Sequence, residues 1–69
     1  MSKTYHELSK TYHELNEREL AGELAALLLT RETSKEQHLR GLDLVERREE
    51  TGSAYRVSLL LLVAELDPE

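Results

Sequence analysis

The stretch NERELAGELAALLLTR, residues 16–31, decides the fold because its leucines recur at the spacing of a helix. Residues four and then three positions apart lie on one face of an α-helix, and here that face is apolar. The leucines that define this face are Leu20, Leu24 and Leu27. Asn16 precedes them and is a preferred residue for capping a helix N-terminus. The sequence therefore predicts an amphipathic helix over about residues 17–31.

A second helix start follows at Ser34, where Ser34-Lys35-Glu36-Gln37 has the pattern of a capping box. If the chain continues as helix, segments 35–51 and 54–66 complete a mainly α module of three to four helices. If it does not, a hairpin within residues 43–63 makes the fold α+β and winged-helix-like. Leucine content favours helices, whereas Tyr55-Arg56-Val57 favours strands. We take the mainly α fold as the prediction and the α+β fold as its alternative.

The N-terminal residues carry an internal repeat, with SKTYHEL at 2–8 and again at 9–15. Its apolar positions have the 3-4-3 spacing of a coiled-coil seam. They are Tyr5, Leu8, Tyr12 and Leu15. The rhythm stops at Glu19 and Gly22, so the repeat is interpreted as a duplicated heptad arm over 1–15 that precedes a single small domain over 16–69.

The composition indicates a thin core that gains from a second subunit. The chain has 69 residues, fifteen leucines and no cysteine, phenylalanine or tryptophan. Chains this short bury only about 60% of their unfolded surface, and oligomerisation is one way to compensate. We therefore expect a homodimer. No apolar leader is visible and the apolar run Leu59 to Ala64 is too short for a bilayer span, so we expect a cytoplasmic protein without membrane contact.

The sequence contains none of the motifs that carry common catalytic chemistry. It has no cysteine nucleophile, no glycine-rich phosphate loop and no HExxH zinc motif. His6 and His13 lie seven residues apart, which is too far for one helix to present both to one metal ion. We therefore expect a protein that is not an enzyme, with no catalytic residue, cofactor or metal.

The long apolar runs point to protein binding, because so small a chain cannot cover them on every side. The predicted function is a small regulator, adaptor or inhibitor that acts as a homo-oligomer and binds another, unidentified protein. The predicted interface residues are Leu27, Leu28, Leu59, Leu62, Val63 and Leu66, with Tyr5, Leu8, Tyr12 and Leu15 as an extension.

A family resemblance supports the alternative. The segments TSKEQHLR at 33–40, LVERRE at 44–49 and YRV at 55–57 resemble the end of a winged-helix DNA-binding domain, where the recognition helix leads into a strand and a wing. The resemblance implies a DNA-binding transcriptional regulator. It places Ser34, Lys35, Gln37, His38 and Arg40 at the major groove, and Arg47, Arg48 and Arg56 at phosphates.

Overall fold

The computed structural model describes residues 15–67 and folds them into three helices. They are α1 (Glu17–Thr30), α2 (Lys35–Glu46) and α3 (Ser53–Leu66). Helices account for 75% of these residues, and none of residues 15–67 lies in a strand. The mainly α prediction is confirmed for this part of the chain. The predicted seam residues Tyr5, Leu8 and Tyr12 lie outside the described residues.

The hairpin of the α+β alternative does not form within residues 43–63. This segment comprises the end of α2, a turn at 47–49 and most of α3. The physical reason is the run of apolar side chains in α3, which pack along a helix against α1 and α2. The two clusters of β-forming residues are too short to outweigh that packing.

Both predicted N-caps are present. The Asn16 side-chain oxygen accepts a hydrogen bond from the Glu19 backbone N–H at 2.8 Å. Ser34 and Gln37 form the complete capping box, because the Ser34 hydroxyl accepts from the Gln37 N–H and the Ser34 N–H donates to the Gln37 side chain, both at 3.1 Å. These bonds satisfy amide groups that have no partner within the first helical turn.

The predicted end of the second helix is wrong by five residues. Helix α2 ends at Glu46 and not at Thr51, because the charged run that follows has no apolar side chain to pack against the core. Gly52 is the N-cap residue of α3, where its φ of 132° lies in the region that favours glycine.

The core is formed by leucines from all three helices. Its completely covered side chains are Leu20, Leu24, Leu59, Leu62 and Val63. Helix α3 buries seven of its residues and packs against both other helices, with its greatest contact on α1. At Gly41, α2 comes so close to α1 that a β-carbon would lie 2.7 Å from a methyl group of Leu28. None of the helices within residues 15–67 has the length and apolar character needed to cross a bilayer.

Tyr55 joins α3 to the end of α2, since its buried hydroxyl donates to the Leu44 carbonyl at 2.8 Å. Burial raises the pKa of this hydroxyl above its ordinary value of 10.0, although the nearby Arg47 acts in the opposite direction. The folded chain therefore holds the phenolic proton more tightly than the unfolded chain does. The stabilisation is complete below the unfolded pKa and is lost as pH rises through the folded pKa.

Tyr55→Phe is expected to lower the free energy of unfolding by about 0.5–1.5 kcal/mol at neutral pH, the net value of one hydrogen bond. The difference from wild type should shrink at about pH 11, because ionisation of Tyr55 then favours the unfolded wild-type chain. Urea denaturation of both proteins at the two pH values measures this. A difference in the free energy of unfolding that stays constant with pH would contradict the raised pKa of Tyr55 in the folded chain.

Leu15 is half-buried and packs against the core directly before the Asn16 cap. Deleting residues 2–8 leaves the identical copy at 9–15, so the residues that precede α1 remain the same over seven positions. We expect the helical content and the melting temperature to be unchanged within error, as measured by circular dichroism. Unfolding of the deletion variant would show instead that the first copy is part of the fold.

Candidate protein-binding groove

The predicted interface residues within α1 and α3 belong to the core of the single chain. Each is at most 8% exposed, so the chain's own helices cover these side chains almost completely. They are Leu27, Leu28, Leu59, Leu62, Val63 and Leu66. The apolar surface of residues 15–67 is therefore formed mainly by other residues.

Among residues 15–67, five large apolar side chains remain exposed after the core has formed. Their exposed fractions are 87% for Leu29, 56% for Leu39, 40% for Leu42, 51% for Val57 and 50% for Leu61. Val57 and Leu61 lie one turn apart on α3. Leu29 and Leu42 line a common depression between α1 and α2.

This depression, here called the α1–α2 groove, has a volume of about 250 Å³. Its lining is Ala25, Leu28, Leu29, His38, Leu42 and Val45. The three α2 residues among these are four and three positions apart, so they form one face of the helix. His38 supplies the imidazole in an otherwise apolar lining. The arrangement can bury apolar side chains of a bound segment and offers one polar contact at its edge.

The groove continues towards the start of α1 into a second depression of about 510 Å³, here called the Gly22 hollow. Its lining is Arg18, Ala21, Gly22, Ala25, Val45, Arg48 and Glu49, so Ala25 and Val45 belong to both depressions. A β-carbon at Gly22 would have no heavy atom within 4 Å. The described chain therefore does not require a glycine here, although glycine costs about 1 kcal/mol relative to alanine inside a helix.

An ion pair stands at the rim of the Gly22 hollow. The Arg18 guanidinium donates to both carboxylate oxygens of Glu49 at 2.8 and 2.9 Å. Both side chains are more than 70% exposed, so the pair adds little to stability. Its geometric effect is to position polar groups at the edge of an apolar surface.

The residues that the winged-helix resemblance assigned to DNA do not form one surface. Gln37 and Arg40 on α2 both face Glu65, at 3.3 and 3.8 Å. Arg47 pairs with Asp43 at 3.0 Å and Glu50 at 3.4 Å. Ser34 and Lys35 lie at the exposed start of α2, and Arg56 lies on α3. His38 lines the α1–α2 groove, and Arg48 lines the Gly22 hollow.

Arg47 also lies with its guanidinium carbon 5.8 Å from the centre of the Tyr55 ring, so this cation is held by three groups of its own domain. Within residues 15–67, no cluster of three or more histidine and carboxylate side chains is placed to hold a metal ion.

The fold and the groove define a small three-helix module with an open apolar surface. Comparison of the chain with protein-family models, curated proteins and solved structures finds no match.

Proposed function

We propose that this chain is a small non-enzymatic protein-interaction module, a regulator, adaptor or inhibitor, that acts as a homo-oligomer. The observation that carries the proposal is the α1–α2 groove, an apolar surface outside a core that is already complete. Grooves between two packed helices bind amphipathic helices, whose apolar side chains recur every three to four residues.

Binding in the groove is favourable because it removes exposed leucine from water. Leu42 is 40% exposed at the centre of the α2 wall, and Leu28 forms part of the floor. Burial of apolar surface contributes about 25 cal/mol per Å², and the largest effects come from a few central anchors. The His38 edge adds directional contact, so a bound segment gains both affinity and orientation.

Affinity capture from the source cell with the full chain tests this proposal. The wild type is compared with two variants. Leu42→Glu places a charge in the groove, and Leu61→Glu makes the same change at an exposed leucine of α3. We expect a protein retained by the wild type and by Leu61→Glu to be lost with Leu42→Glu. Circular dichroism establishes that both variants are folded. Retention of the same proteins by Leu42→Glu would overturn the groove as the binding site.

The winged-helix alternative predicts duplex DNA as the ligand, and a DNA-binding measurement tests it. Binding to DNA at low salt that falls steeply as salt rises would support the DNA-binding regulator. Neutralising Arg48 or Lys35 should then weaken binding uniformly across sequences. A protein interaction that depends on Leu42 and is insensitive to DNA would support the module proposed here.

A further inference from the structure

One face of α1 carries both an exposed leucine and the Gly22 hollow. Leu29 is 87% exposed, the most among the large apolar side chains of residues 15–67. Gly22 lies seven residues earlier, under the hollow of about 510 Å³. Seven residues are nearly two turns, so the two positions share a helix face and lie about 10 Å apart along it.

From this face we infer that a second copy of the chain packs on α1, with the two α1 helices antiparallel and each Leu29 inserted over the partner's Gly22. The inference rests on the proposed homo-oligomeric function and names the surface that joins the copies. Because Ala25 and Leu29 also line the α1–α2 groove, the second copy and a partner segment share the α1 wall of that groove. A two-fold axis between positions 25 and 26 forms both contacts at once. Ala25 and Ala26 lie at that axis, where short side chains permit a close approach of the two helices.

One charge without an ion pair among residues 15–67 lies near each end of the face, and the two charges are of opposite sign. Arg48 lines the Gly22 hollow and has no ion-pair partner among residues 15–67, whereas its neighbour Arg18 is bound to Glu49. Glu32 is exposed, follows Leu29 by three residues and likewise has no ion pair within the described part of the chain. Antiparallel packing brings the Glu32 end of each copy to the Arg48 end of the other. A second copy therefore supplies both the apolar side chain and the charge that the hollow lacks.

Sedimentation of the full chain tests the inference first with two matched variants. We expect the wild type to sediment at twice its chain mass of 8.0 kDa. Leu29→Lys should sediment as a monomer, because its ammonium group would enter the hollow beside the guanidinium of Arg48, a charge of the same sign. Leu61→Lys makes the same change at an exposed leucine of α3 and should remain dimeric. A dimer that survives Leu29→Lys would overturn the inference.

A second pair of variants tests the contact itself. Gly22→Gln fills the hollow, and Leu29→Ala removes the side chain that enters it. Each alone should raise the dimer dissociation constant about a hundredfold, since two leucine contacts are lost per dimer. An equal mixture should associate, because the intact Leu29 of one chain meets the intact Gly22 of the other.

Gly22→Gln should at the same time raise the melting temperature when it is measured at concentrations too low for the dimer to form, since glutamine is a better helix former than glycine. Failure of the mixture to associate would overturn the antiparallel contact. A wild type that stays monomeric at high concentration would also overturn the inference. A partner protein that is still captured through Leu42 would in that case leave the interaction function standing.

Discussion

Leu62→Ala is expected to lower the free energy of unfolding by about 2–5 kcal/mol, the range for a buried leucine that leaves a cavity. Leu62 is completely covered, and the core cluster to which it belongs draws side chains from all three helices. A chain of 69 residues has a total stability of roughly 3–10 kcal/mol, at about 0.05–0.15 kcal/mol per residue. The substitution therefore removes a large share of it, and urea denaturation followed by circular dichroism measures the loss.

Leu61→Ala is the matched control because it truncates the preceding leucine of the same helix, which is half exposed. Its effect should stay below about 1 kcal/mol, as is usual for surface positions. Equal losses at the two positions would mean that α3 is covered on both sides, which is the result expected if a partner buries Val57 and Leu61.

The second large effect is expected at Gly52. Gly52→Ala should destabilise the protein by about 1–3 kcal/mol, because φ of 132° with ψ of 160° is open essentially to glycine alone. No neighbouring atom lies within 4 Å of the added β-carbon, so the cost comes from the backbone and not from a clash. The midpoint of urea unfolding measures it.

Gly22→Ala is the control for this substitution, since it also has free space for the β-carbon but lies inside a regular helix. It should stabilise the isolated chain by about 0.5–1 kcal/mol. A loss of stability with Gly52→Ala and a gain with Gly22→Ala would show that the Gly52 effect comes from its dihedral angles. A gain in stability at both positions would contradict the backbone conformation found at the start of α3.

The starts of α1 and α2 could be predicted from the sequence more accurately than the end of α2. A capping side chain acts on backbone groups two or three residues away, so the signals at Asn16 and Ser34 are local and legible. The end of α2 has no capping signal. It is set by the charged residues that follow Glu46, which have no apolar side chain to pack, and by the turn that lets the Tyr55 hydroxyl reach the Leu44 carbonyl, eleven residues earlier.

The candidate site shows the same division. Leu29 stands off the face defined by Leu20 and Leu24, and this much could have been inferred from the helical period. The groove could not, because it requires the particular face of α2 that packs on α1. That face is selected where Gly41 lets the Leu28 side chain approach closely.

The sequence by itself therefore determined the amphipathic helix after Asn16, the capping box at Ser34 and the preference for a mainly α fold. The tertiary structure alone decided that residues 43–63 form the end of α2, a turn and most of α3 instead of a hairpin, and that the predicted interface residues of α1 and α3 form the core. The physical reason is the distance along the chain over which each kind of interaction acts. Capping and periodicity join residues within one or two helical turns, whereas burial depends on which distant segments meet.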